Sequence, residues 1–356
     1  MTKTRSRFLH DRVEPFSPDP DLSPADILER MERISFQGRN LAAALRVWKK
    51  MLDEDVLIFL GVAGALSAGG LRVLIAHLLE QRYVDCLIST GANLYHDLHE
   101  TRGRYHFIGS PHVDDAALHA EQIDRIYDTF VSEDEFIDND NWIAAFAAEL
   151  EGRPYSSREF LCLLGQRLWS ATGRHGILTA AYRAKVPVFC PGIADSSIGM
   201  ALSQARHERS GTGQMDVIGD VIESSNLVIR KPRTACVLLG GGTPKNFINQ
   251  ASVQAAFFRP GIEGHALALQ IVTDTPDFGG ASGALLDEAK SWGKLARDAD
   301  QVTVRCDATI ALPFLVTALT ERVQQHPPKR TVPQFEVEHR RLSLDGAQLS
   351  GDRFDV

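Results

Sequence analysis

Six short apolar runs recur along this chain, at 56–60, 84–91, 186–191, 235–239, 265–275 and 302–307, each separated from the next by sequence with a helical pattern. Near-continuous Val, Ile and Leu suit strands buried on both faces, and helical connections suit parallel pairing. The predicted fold is therefore α/β, a single doubly wound, mostly parallel Rossmann-like sheet with helices on both faces. Residues 1–33, with Pro15, Pro18, Pro20 and Pro24, read as an N-terminal arm and a helix starting at Ser23-Pro24. Residues 34–324 form the body, with a helix around 40–48 and mostly helical sequence over 121–182, beginning at 121–127. Residues 325–356 read as a C-terminal arm laid on the surface or on a neighbour.

Charge narrows the partners. A formal net charge of -8 over 356 residues argues against a general nucleic-acid binder and leaves cationic small molecules, polyamines above all, as the class attracted. Cys86, Cys162, Cys190, Cys236 and Cys306 show no paired spacing, which reads as a reducing, cytoplasmic compartment. A charged, proline-rich start and the lack of a long apolar run predict neither a signal peptide nor a membrane span.

The turns after the runs are the candidate ligand loops. The first carries Gly64, Ala65, Leu66, Ser67 and Ala68, small residues that let backbone approach a pyrophosphate at a helix start; its spacing is not GxGxxG, and a tight turn without ligand reads equally well. Thr90 and Gly91 end the second run, and Asp195 lies just past the third, as a ligand group or a helix cap. Gly240, Gly241 and Gly242 follow the fourth without a P-loop lysine spacing. His96, His99, His106, His112 and His119 lack recognisable metal-ligand spacing and read as polar loop histidines, so no metal site is expected.

The segment 287–294 crowds Glu288, Trp292 and Lys294 behind the turn Gly279-Gly280-Ala281-Ser282-Gly283. An amine shielded from water loses its proton more readily and attacks imines and carbonyls. A surface helix with a snorkelling lysine is the other reading of these residues.

Together the motifs resemble the deoxyhypusine synthase family over about residues 34 to 320, in a pattern similar to bacterial deoxyhypusine synthase-like proteins. The residues that carry the resemblance are Phe59-Leu60-Gly61, Gly70-Leu71-Arg72, Val84-Asp85, Gly240-Gly241-Gly242, Asp287-Glu288-Ala289 with Ser291-Trp292-Gly293-Lys294, and Asp307-Ala308. The resemblance implies an NAD-binding catalytic domain over 34–324 and an aminobutyl transferase. In such an enzyme NAD oxidises a polyamine donor, Lys294 captures the aminobutyl group as an imine, and an acceptor amine receives it. Glu288 would contact an ammonium or move protons, and Trp292 would pack on the polyamine chain. By position, the 64–68 loop, Thr90, Gly91, Asp195, Gly241, Gly242, Thr273, Asp307 and Ala308 would face the cofactor. Tyr95, His96, Asn246, Gly280, Ala281 and Ser282 fall on the substrate side. The resemblance also implies a homotetramer with sites shared at an interface.

Departures point to altered specificity. Tyr95 and His96 stand where the family carries paired glutamates, Met200 and Ala281 replace aspartates, and Asn246 replaces a histidine. Loss of acids that pair with ammonium groups changes which amine binds. The expected substrates are therefore small polyamines or guanidino amines. True deoxyhypusine synthase, modifying a lysine of a translation factor, and a non-catalytic NAD- or polyamine-binding protein are the alternatives.

Overall fold

Strand β1 (Leu57–Val62) sends alternate side chains into two separate apolar cores, Leu57 and Phe59 into one and Ile58, Leu60 and Val62 into the other. Period-two alternation between two dry faces explains why the run is apolar throughout rather than at every second residue. The other central strands are β2 (Cys86–Ser89), β3 (Val188–Phe189), β4 (Thr234–Leu239), β5 (His265–Ile271) and β6 (Leu295–Val304). They form one sheet in the order β6-β5-β4-β1-β2-β3, every pair parallel. The order reverses between β1 and β4, and sheets of this kind bind ligands outside the carboxyl ends of the strands at that reversal. The computed structural model describes residues 11–209, 214–338 and 340–350. The first ten residues of the expected N-terminal arm and 351–356 of the expected C-terminal arm lie outside them.

The helices of eight or more residues, in chain order, are α1 (Pro24–Met31), α2 (Phe36–Asp53), α3 (Arg72–Glu80), α4 (Gly91–Thr101), α5 (Glu133–Ala148) and α6 (Ser157–Thr172). They continue as α7 (Ile177–Ala184), α8 (Ser197–Arg209), α9 (Val217–Arg230), α10 (Gly242–Phe258) and α11 (Ala308–Gln325). Helix α1 starts where Ser23-Pro24 predicts. Ser23 Oγ accepts from the Asp26 amide at 3.2 Å, and the Asp26 carboxylate answers the Ser23 amide at 3.3 Å. Trp48 of α2, Ile75 of α3, Phe160 of α6 and Leu312 of α11 build the first core, and Leu227 of α9 and Ile248 of α10 the second.

Two expectations are corrected. Residues 121–127 are not helical: Ile123–Ile126 pairs antiparallel with Thr129–Ser132, which in turn pairs with Phe107–Ile108. Gln122 and Tyr127 both take left-handed backbone, φ 57° and 54°, which breaks a helix on either side of the short strand. The tail is not merely an arm on the surface. Phe335–Val337, Leu342–Leu344 and Ala347–Gln348 form an antiparallel sheet, and Phe335, Leu342, Leu344 and Leu349 complete the second core. Arg330 places its guanidinium on the fully buried Asp85, at 2.5 and 3.1 Å, beside the Ile58 amide that Asp85 also holds at 2.9 Å.

Candidate active site

The carboxyl ends of the strands form a rim of small residues. After β1, Gly64 and Gly70 take φ 69° and 86°, and a side chain at Gly64 would meet nothing within 4 Å. The loop is stitched to the start of α4. Thr90 Oγ1 donates to Gly64 O at 2.6 Å, Asn93 Nδ2 donates to the same carbonyl at 3.0 Å, and Ser67 donates to Asn93 through its amide (3.1 Å) and hydroxyl (2.6 Å). Ala65 and Leu66 are half-buried, and Ala68 is buried. Across the reversal point the Ala63 amide donates to Leu239 O at 3.0 Å, and a Cβ on Gly240 would lie 3.0 Å from that of Ala63. Gly242 opens α10 at φ 59° with clear space before it.

Thr273, exposed past β5, and Asp307, exposed past β6, continue the rim, with Ala308 starting α11. Asp307 caps α11, its Oδ1 accepting from the Thr309 amide and hydroxyl at 2.7 Å each. Asp195 is exposed past β3 and does not cap α8. Ser196 takes that role, accepting from the Gly199 amide at 3.4 Å and packing against Gly91 where any Cβ would collide. Open glycines and outward backbone at the β1/β4 reversal fit a dinucleotide pyrophosphate, and the uncommitted Asp195 and Thr273 suit ribose contacts.

The connection from β5 to β6 folds back over the start of α10. Gly241 lies so close to Ala281 that a Cβ would fall 2.9 Å from the Ala281 Cα, and Ser282 Oγ donates to Gly242 O at 3.0 Å. Gly280 is pinned beside Thr275 O in the same turn. Ala281 and Ser282 are both left-handed, φ 52° and 59°, a strain that surrounding structure must hold. Lys245 of α10 holds it, with Nζ donating to Ala281 O and Ala284 O at 2.6 Å each from a side chain that is 2% exposed. Burial, then the neighbouring Lys294 cation, pulls the Lys245 ammonium down to about 8. The sequence carries one sign of this residue: a lysine in a helix's first turn opposes the helix dipole and needs acceptors of its own.

From this fold-back the chain enters Leu286–Ala289, turns at Gly293 (φ 67°) and delivers Lys294 directly before β6. Lys294 is half-buried. Its Nζ donates to Asn246 Oδ1 of α10 at 3.2 Å and sits 5.6 Å from the centre of the Trp292 ring. Trp292 is 67% exposed, and Glu288 is exposed, whereas Asp287 turns to bond Gln301. The structure thus brings Lys294, Trp292, Asn246, Ala281, Ser282, Gly241 and Gly242 into one connected group.

Tyr95 and His96 are not part of that group. Both lie on α4, beyond β2. Tyr95 is 1% exposed and donates its hydroxyl to Asp140 Oδ1 at 2.6 Å, with Phe136 O at 2.9 Å. The polar-loop reading of the histidines fails for three of them. His96 and His99 are buried in α4, and His106 packs on both with ring centres 5.0 and 5.1 Å away. Burial, with the neighbouring imidazoles, lowers His96 to about 3, and burial lowers His99 to about 4. Met200 is exposed on α8. Among the described residues no group of three or more His, Cys, Asp or Glu is placed to hold a metal ion, and no helix is long and apolar enough to cross a membrane.

The sequence comparisons point to one family. The model of the deoxyhypusine synthase family covers residues 26–319. A protein of Methanosarcina acetivorans named "Probable deoxyhypusine synthase 2" is 45% identical over 319 residues, 88% of this chain and 90% of that one. The "Deoxyhypusine synthase-like protein" of Coxiella burnetii is 37% identical over 328 residues, 89% and 91% of the two chains. A crystal structure described as that of "a putative deoxyhypusine synthase from Entamoeba histolytica" shares the fold, with a TM-score of 0.61, 15% identity, and coverage of 90% of this chain and 99% of that one.

Proposed function

The chain belongs to the deoxyhypusine synthase family and is an aminobutyl transferase, and on that premise we propose that it moves the group between small polyamines or guanidino amines through an imine on Lys294. NAD, which the 64–68 loop, Gly241 and Gly242 would hold, would supply removal of hydride from the donor carbon and its return. The Lys294 nitrogen attacks the oxidised carbon of the donor. It forms the new C–N bond while the bond to the departing amine breaks, and that amine leaves with the proton. The acceptor amine then attacks the lysine imine and expels Lys294 unchanged. Asn246 orients the lysine amine, Trp292 covers it, and Glu288, exposed on the same segment, is the carboxylate assigned to take and return protons. His96, Gly280, Ala281 and Ser282 remain the proposed substrate side, and a shared-interface homotetramer the proposed assembly.

The observation that carries this reading is the Lys294 amine held at 3.2 Å by an uncharged amide on the helix after the triple glycine. Incubation with NAD and spermidine, putrescine or agmatine, followed by borohydride, should leave a mass increment on the Lys294 peptide. Lys294→Ala should lose the increment and at least about a thousandfold in turnover. A protein that gains no adduct with any of the three amines is not this enzyme. The name of the 45%-identical archaeal relative favours a second reading, a protein lysine as acceptor. Product analysis separates the two: the departing amine is released in both, but an aminobutylated free amine appears only in the first and an aminobutylated protein lysine only in the second.

A further inference from the structure

The loop that leaves β3 is tied to a buried carboxyl on α9. Asp220 is 0% exposed. Its Oδ1 accepts from the Arg158 amide at 3.3 Å, its Oδ2 is buried without a partner among the described residues, and the Ser157 hydroxyl faces the same carboxyl. Ser157 Oγ in turn accepts from the amide of Cys190, the first residue past β3, at 2.8 Å. From there the bonds run on to the rim. Cys190 O accepts from the Ile193 amide at 3.0 Å, and Ile193 O accepts from Ser196 Oγ at 2.7 Å. Ser196 packs against Gly91, next to the Thr90 hydroxyl that holds Gly64 O. Asp195 lies inside this loop, its amide on Gly192 O at 3.0 Å and its side chain exposed.

A serine hydroxyl has one proton to give. With the oxygen engaged by the Cys190 amide, that proton goes to the ionised Asp220 carboxyl, and Ser157 is fixed in the orientation that holds the loop. A protonated Asp220 is itself a donor, so the Ser157 proton loses its acceptor and the hydroxyl is free to turn. The other titratable groups around Asp220 are engaged elsewhere or uncharged. Glu223, one turn along α9, takes the Arg158 guanidinium at 2.8 Å through each oxygen, and Glu159 takes Arg153 at 2.9 Å. Burial pushes the Cys190 thiol up to about 12, which keeps it neutral. Burial also lifts the Asp220 carboxyl to about 7, although the Ser157 hydroxyl and the Arg158 amide pull it down. We propose that Ser157 is a positioning residue for the 190–196 loop, oriented by ionised Asp220, and that a proton on Asp220 loosens the loop and weakens the grip of Asp195 on the NAD ribose. This rests on the cofactor reading above.

Hydrogen exchange and NAD titration on the full-length protein test the coupling at about pH 6 and pH 8, on either side of the Asp220 titration. In the cofactor-free wild type, the protection factor of the Cys190 amide should be about fivefold lower at the acid pH, and the Kd for NAD should be higher by a similar factor. Ser157→Ala should show low protection and weak binding at both values, with no pH step. Asp220→Leu, which removes the acceptor, should do the same, and Ser157→Thr should restore the wild-type profile. A Kd that does not change with pH in the wild type, or a pH step that survives Ser157→Ala, overturns the proposal. If Asp220→Leu does not fold, Ser157→Ala, the loss of a single oxygen, carries the same comparison. A protein that binds no NAD at either pH overturns the cofactor reading and the proposal together. The expected pH step beside a missing borohydride adduct on Lys294 supports the coupling and counts against the transfer chemistry alone.

Discussion

Lys294 and Tyr95 stand on opposite sides of β1, and the fold treats their polar atoms differently. Around Lys294 the partners are sparse: one amide oxygen for the amine, an open face for Trp292, an exposed carboxylate in Glu288. Around Tyr95 they are saturated, with Asp140 and a main-chain carbonyl taking the hydroxyl and histidines bonding one another one turn on. Strain follows the same division. The left-handed pair Ala281 and Ser282 lies on the Lys294 side, held by a buried ammonium. Unspent polar atoms and stored strain mark groups available for chemistry, while saturated networks fix shape. One side of the rim is therefore built to react and the other to position.

The largest expected effect that would break this contrast is at Lys245. Lys245→Met leaves the Ala281 and Ala284 carbonyls unpaired and frees the strained turn. The rate of adduct formation on Lys294 should fall about a hundredfold, as for a displacement near 1 Å. Rapid-quench borohydride trapping measures it, and an unchanged rate would show the fold-back to be ornamental.

The acid response should come from the other side. His96 and His99 have folded pKa values near 3 and 4, below the ordinary 6.5. Between those values the unfolded chain binds more protons, so this contribution is present above about pH 6.5 and is lost as the pH falls toward 4. His99→Gln should flatten the pH dependence of the urea midpoint in that window, and an identical slope would put the acid sensitivity elsewhere. Tyr95→Phe should cost about 1–3 kcal/mol of stability by orphaning Asp140, seen in the same urea titrations, and leave the adduct rate intact. A changed KM with unchanged stability would instead make Tyr95 a substrate ligand. Trp292→Ala is the smallest: no loss of stability, and roughly a threefold higher KM from a lost cation–π contact worth about 0.5–1 kcal/mol.

Much of the frame was legible because the inner strands β1 and β4 are dry on both faces and so nearly continuously apolar, whereas the edge strand β6, with Arg297 and Asp298 exposed, showed only its last residues. The short hairpin at 123–132 was not, since its strands are half-buried and polar residues such as Asp124 and Arg125 give no alternation. The tail misled for a related reason. Its apolar residues are few, and only the prior existence of the second core makes Phe335, Leu342 and Leu344 worth burying. Around the candidate site, glycines announce turns because only they enter left-handed backbone freely. The anchors of those turns, Lys245 and Asn93, come from helices distant in sequence, and no local pattern reveals which carbonyls they will meet. The histidines were misread because spacing tests metal ligation, whereas their partners are one another.

The Arg330–Asp85 contact bears on how the chain is made. Asp85 lies at the start of the second strand run, and the guanidinium that completes its shell arrives 245 residues later. At about 5–20 residues per second, a ribosome leaves that carboxylate with Arg82 alone for roughly 12–50 s. During that interval the second core also lacks the strands that cover it. A nascent chain stalled before residue 330 would present an under-paired charge beside uncovered apolar surface, a combination that chaperones and proteases can read as unfinished.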